Sequence, residues 1–143
     1  MTDFTASSAG TRAVVDHGIH RTAASVLERL GGDASYFAAR QLTPRIASDA
    51  DLVVAMTQAH RNAVLELAPR QLRRTFTLTE VARLAAEFGA ETLSDLPRLR
   101  AHLRACETPD IVDPIGQDPK IFSQVGSQIA ELLPPVLELC QRP

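Results

Sequence analysis

The run Asp51-Leu52-Val53-Val54-Ala55-Met56 constrains the fold more than any other stretch of this chain. Successive residues of a strand point to opposite faces, so an unbroken apolar run predicts a strand covered on both sides, as in a parallel sheet between helix layers. Thr57 follows as a helix cap for a segment carrying Ala59, Ala63, Val64 and Leu67, which must stop before Pro69. A second unit repeats the pattern. Thr75 to Leu78 reads as a short strand, Thr79 as a cap, and Val81, Leu84, Ala85 and Phe88 as a buried helical stripe closed by Gly89. Strand alternating with helix predicts right-handed parallel crossovers, and hence an α/β fold with a doubly wound parallel sheet flanked by helices.

The remaining segments fill in around this pair. Phe4 to Ser7 is β-prone and predicts an edge strand. Ala23, Val26, Leu27 and Leu30 recur at helical spacing before Gly31-Gly32, and Thr43-Pro44 caps a short helical turn. Ser94 to Ala105 predicts another short helix and Glu107 to Gln117 a loop. Asp118-Pro119 opens the longest helix, with Ile121, Phe122, Val125, Ile129, Leu132 and Leu133 on its buried side, and Pro134-Pro135 should kink or end it. Three strands make a small sheet for two helix layers, which suggests that a central element is missing.

Composition excludes several classes of function. The 143 residues suit one domain, 1–143. The longest uncharged stretch, Ile121 to Ala130, is far short of the roughly 20 apolar residues of a membrane helix, and the first ten residues have no signal pattern, so a soluble cytoplasmic protein is expected. A net charge of −2 disfavours sequence-independent nucleic-acid binding. Lys120 is the only lysine among the fifteen basic residues, an arginine bias that reads as background. Two cysteines, Cys106 and Cys140, cannot build a disulfide framework. No cofactor or metal is expected. His102 and Cys106 stand four apart on a helix, but no third ligand is spaced to join them.

A set of matching stretches gives the chain a resemblance to the low-molecular-weight protein tyrosine phosphatase family. They are Ser8-Ala9-Gly10-Thr11, Gly18 leading to Ala23, Ser35 with Ala39-Arg40-Gln41-Leu42, Ala50 to Met56 with His60, and Asp113-Pro114 with Phe122. The resemblance implies a phosphotyrosine phosphatase I-like fold and hydrolysis of a phosphotyrosine protein or small phosphomonoester through a phosphocysteine. In that family a Cys-x5-Arg loop supplies nucleophile and phosphate cradle, and the aspartate of an Asp-Pro loop protonates the leaving phenolate. Asp113 matches the general acid. The loop has no match, because Val112 stands six residues after Cys106 and only three residues follow Cys140. The fold is therefore expected to lack the family's first strand and first helix. Two explanations are open, a shortened reading frame, which the abrupt start favours, or a genuine loop-less relative.

Either way, the chain alone is expected to be inactive; the alternative is a non-catalytic pseudophosphatase that binds a protein or phospho-ligand. Exposed strand edges would also permit a homodimer. By the same resemblance Ile115 stands where the family commonly has an aromatic, Phe37 replaces a frequent histidine, and Thr57 replaces an acidic residue. His17 and His20 fall in the loop bordering the active site, where solvated histidines are the commoner case. Arg70, Arg73 and Arg74, and likewise Arg98, Arg100 and Arg104, read as solvated faces with surface ion pairs.

Overall fold

The computed structural model describes residues 4–35, 37–105 and 108–141. The apolar run forms strand β1, Val53–Ala55, which pairs in parallel with β2, Thr75–Thr77, in the register Val53↔Thr75, Val54↔Phe76, Ala55↔Thr77. Both faces of β1 are covered, as expected from alternation. Val53 packs against Ala47, Val64 and Ala68, whereas Leu52, Val54 and Met56 pack against the larger core on the opposite side. The small cluster belongs to α2, Pro44–Ser48, and α3, Gln58–Leu67; the large one is built from α4, Leu78–Ala86, α5, Asp95–Leu99, and α6, Pro119–Gln141. Phe76, Leu78, Val81, Leu84 and Leu96 are its most enclosed members. Among the described residues no helix is long and apolar enough to cross a membrane.

Local chemistry sets the element ends. Thr57 Oγ1 accepts from the His60 amide (3.0 Å) and starts α3. Thr43 Oγ1 does the same for Ile46 in α2 (3.2 Å). The second strand–helix junction turns one step earlier than expected. Thr77, not Thr79, caps α4, in a capping box with Glu80, and Thr79 donates its hydroxyl to the Pro109 carbonyl (2.9 Å). Gln71, in the 3-10 turn Pro69–Arg74, donates to the carbonyls of Ala47 (2.6 Å) and Ala50 (2.8 Å), fixing α2 beside the start of β1.

Phe4–Ser7 is exposed and forms no strand, so the sheet has two strands among the described residues, not three. The nearby chain contributes one parallel bridge, Gly10↔Gln41, with Gly10 N–H to Arg40 O and Leu42 N–H to Gly10 O, both 2.9 Å. Strand propensity is realised only against a neighbour, and this segment has none to pair with. Of the kink or end expected at Pro134 and Pro135, the end is not seen: α6 runs through both. A proline inside a helix costs about 3 kcal/mol, but Val136 and Leu139 beyond it are fully buried, each worth about 1.5–3 kcal/mol. Leu133, expected inside, is 36% exposed.

Helix α1, Arg21–Arg29, buries only Val26, ends at Gly31 in the left-handed region (φ +90°), and packs on α6. Gly126 permits that approach: a Cβ there would stand 2.4 Å from Val26 Cγ1.

Candidate active site at the carboxyl ends of the strands

Ligands of open parallel sheets bind beyond the carboxyl ends of the strands. Here those ends lead into Thr57 and Thr77, the caps of α3 and α4. The loop before α6 is tied to the same edge. Ile111 N–H donates to Met56 O (2.9 Å), Asp110 Oδ1 accepts from the Gln58 amide (2.9 Å), and Pro109 O takes the Thr79 hydroxyl. Ile111 is buried beneath this junction, while Val112, Asp113 and Ile115 project outward.

Asp113 is thus held at the rim of the sheet on an anchored stalk. Its Oδ1 accepts from the Ile115 amide (3.0 Å), and Pro114 O accepts from Gln117 N–H (2.9 Å), with Gly116 at φ +79° making the turn. Asp113 is exposed, and no hydrogen bond or ion pair engages its Oδ2 among the described residues. Beside the loop runs a shallow groove lined by Val112, Gln117, Ile121, Gln124, Val125 and Gln128. The exposed side chains next to Asp113 are aliphatic: Val112, which lines the groove, is 55% exposed, and Ile115 is 58% exposed.

Among the described residues, none of the others singled out from sequence has a hydrogen bond or ion pair to the Asp113 side chain. Cys140 lies at the far end of α6, about 30 Å along the axis from the turn that follows Asp113. It is half-buried, and burial pushes its thiol pKa up, opposite to the depression that a nucleophilic cysteine needs. Cys106 and the side chain of Arg104 lie outside the described residues. His102 stacks on Phe88 with ring centroids 5.6 Å apart. His20 is structural: its Nδ1 accepts from the Thr22 amide (3.3 Å) at the head of α1, and its ring stacks on Phe122 of α6 (5.1 Å). His17 is exposed and engages the fold through its backbone, accepting from Ala39 N–H (2.8 Å). Phe37 is 40% exposed.

One arginine departs from the solvated-face reading. Arg70, Arg73, Arg74 and Arg98 are exposed, and Arg98 pairs with Asp95 (3.1 Å). Arg100 instead lies over the Phe76 ring, 3.8 Å from its centroid, and donates to the carbonyls of Leu72 (2.8 Å) and Thr75. Burial lowers its pKa. No spacing rule links residues 76 and 100, so this contact is invisible in sequence. Sequence reading also missed Glu80, whose Oε1 accepts from both Arg61 Nη1 and the Thr77 amide at 2.8 Å and which joins α3 to α4 behind the site. The Thr77-x-x-Glu80 spacing carries that signal.

Comparison with known proteins agrees with this architecture. The sequence model of the family described as low molecular weight phosphotyrosine protein phosphatase matches residues 1–142. A protein of Klebsiella pneumoniae, named as belonging to the low molecular weight protein-tyrosine-phosphatases, is 30% identical over 69 residues, 48% of each chain; the match spans about half that relative's length. Solved structures share the fold. A tyrosine phosphatase of Erwinia amylovora has a TM-score of 0.71 at 19% identity, covering 94% of this chain and 73% of its own. A low molecular weight protein tyrosine phosphatase of T. tengcongensis gives 0.70 at 23% identity (92% and 75% covered). An arginine phosphatase of Geobacillus stearothermophilus gives 0.70 at 23% (92% and 71%). With a family match across nearly the whole chain and a parallel sheet whose carboxyl edge carries the Asp-Pro loop, the chain belongs to the low molecular weight phosphotyrosine protein phosphatase family.

Proposed function

We propose that this chain carries the general-acid half of a phosphomonoester hydrolase site, with Asp113 as the acid, and that the 143 residues on their own do not turn over substrate. The observation supporting the second clause is the pairing of an anchored Asp-Pro loop with a sequence in which neither cysteine is followed six positions later by arginine. In the family reaction a thiolate attacks phosphorus, the P–O bond to the leaving group breaks, and the acid gives its proton to the departing oxygen. Asp113 is suited to that last step. The Ile115 amide engages one carboxyl oxygen of this exposed residue and leaves the other unbonded and able to hand over a proton. Without nucleophile and cradle, positioning and charge stabilisation, which do most of the work in phosphoryl transfer, are lost.

The leaving group is the less constrained part. Ile115 and Val112 offer an aliphatic rim with no ring to stack on a phenol, and the similar solved structures include enzymes described as tyrosine phosphatases and as an arginine phosphatase. Selectivity for phosphotyrosine over other phosphomonoesters is therefore expected to be weak. Incubation of the purified chain with p-nitrophenyl phosphate tests the reading, with release no faster than in buffer expected. Turnover abolished by Asp113→Ala would refute it and reveal a substitute nucleophile. Saturable phosphotyrosine binding in calorimetry without turnover would move the assignment to a phospho-ligand binding module.

A further inference from the structure

Each strand of the sheet has one edge with no strand neighbour among the described residues, and the two edges are not alike. Val53 and Val54 of β1 are half-buried, whereas Thr75, Phe76 and Thr77 of β2 are at most 1% exposed. An edge strand so fully enclosed is closed by something other than a strand. Side chains contribute to that closure. Arg100 donates to the carbonyls of Leu72 (2.8 Å) and Thr75 and lays its guanidinium over the Phe76 ring, 3.8 Å from the centroid. The Thr77 amide donates to Glu80 Oε1 (2.8 Å), an oxygen it shares with Arg61 Nη1.

The N–H and C=O of one strand residue point to the same edge and those of the next residue to the other, so Thr75 and Thr77 share an edge. Because the Thr75 carbonyl and the Thr77 amide go to side chains instead of to β1, that edge is the outer one. It is also self-complementary. Two copies related by a two-fold axis through Phe76 would run antiparallel, with Thr75 of one opposite Thr77 of the other, and such a pair exchanges N–H···O bonds. The groups that would bond across that axis include the two that Arg100 and Glu80 occupy. Thr75-Phe76-Thr77 is itself β-prone and uncharged, so nothing within the strand discourages pairing.

We propose that Arg100 is a stopper on the outer edge of β2, which keeps a second copy of this chain from pairing with it strand to strand. Glu80 also caps α4 and pairs with Arg61, so its loss would disturb two helices, whereas the printed contacts of Arg100 all lie in β2 and the turn before it. A rigid, charged fork spans two carbonyls and stacks on a ring at once, which a shorter or neutral side chain does not. The stopper does not involve Asp113, so failure of the phosphatase reading would leave it standing.

Arg100→Met keeps a long apolar stem over Phe76 and removes the donors. Light scattering over a concentration series is expected to show self-association at least about tenfold tighter than in the parent chain, the effect of losing a charge-assisted hydrogen bond from the closed edge. Hydrogen exchange in the associated form is expected to slow at Thr75–Thr77. Arg100→Gln, too short to cover both carbonyls, is read in the same way should Arg100→Met not fold. Leu139→Ala, a core truncation on α6, controls for association that merely follows lost stability. The inference is overturned if the Arg100 variant associates no more tightly than the parent, if Leu139→Ala associates as tightly, or if the added protection falls on β1 instead of β2.

Discussion

Glu80 joins two helices at the edge of the sheet and offers the sharpest test of how that edge is held. It is 6% exposed, and its Oε1 accepts at 2.8 Å from Arg61 Nη1 of α3 and from the Thr77 amide that begins α4. Glu80→Ala removes half of a capping box, worth about 1 kcal/mol, and a charge-assisted hydrogen bond of about 1.5–3 kcal/mol. The Arg61 side chain keeps 23% of its exposure and can turn to water, which spares the full penalty of a stranded buried charge. The expected loss is about 3 kcal/mol, near a 10 °C fall in Tm for a chain of this size. Glu80→Gln keeps an oxygen for both donors and forfeits only the charge, so a loss of about 1 kcal/mol is expected. Urea denaturation of these variants, with Arg61→Ala closing a double-mutant cycle, measures each contribution. The reasoning fails if Glu80→Ala costs less than about 1 kcal/mol, or if the Arg61 and Glu80 losses add within about 0.5 kcal/mol.

Other expectations follow from single contacts. Gly126→Ala should lose stability despite alanine's better helix propensity, because its methyl would meet the stiff Val26 side chain at 2.4 Å; a raised Tm would refute the close α1–α6 approach. Pro134→Ala should gain about 1–3 kcal/mol in thermal unfolding, because the site is exposed and inside α6; no gain would show that the helix pays nothing for its prolines. The Asp95 carboxyl, held by the Glu91 amide, Arg98 and the Thr92 amide, is lowered from 3.8 to about 2. A depressed folded pKa means that its contribution is complete above about pH 4 and is lost as pH falls toward 2. An NMR titration of the Asp95 carboxyl with its midpoint near 3.8 would contradict the three contacts.

Whether an element could be read from the sequence depended on whether its signal lies nearby in the chain. The Val53 face meets α2 and α3, near neighbours in the chain, whereas the Val54 face meets the core that begins only at Phe76; the unbroken apolar run announces both faces whatever covers them, and Thr57 and Thr43 announce caps by purely local geometry. Phe4–Ser7 has the same local propensity and no strand, because a strand exists only by pairing. Thr77 and Thr79 are equally good caps in isolation; the Glu80 carboxylate, which can reach back to Thr77 and not to Thr79, decides between them. Arg100 could not be read at all, since its carbonyl and ring partners lie 24 to 28 positions away, in and just before β2. Asp113 was legible as an Asp-Pro turn, but its anchorage comes from Asp110, Ile111 and Thr79, which look unremarkable in sequence.

The helix ends at the strands' carboxyl edge bear on what this edge can bind. A helix N-terminus attracts an anion through its free amides and positive dipole end. At α3 the first amide, Gln58 N–H, is already taken by the Asp110 carboxylate and the His60 amide by Thr57 Oγ1. At α4 the Glu80 amide goes to Thr77 Oγ1, and the Glu80 carboxylate itself sits over the Thr77 amide. Each helix end is thus partly capped from within the chain and carries a carboxylate, which would oppose a phosphate dianion rather than receive it. A phosphate drawn to Asp113 would have to be held by groups other than these two helix ends. Capping of this kind is compatible with the proposal that the edge carries Asp113 as general acid and leaves phosphate binding to a different element.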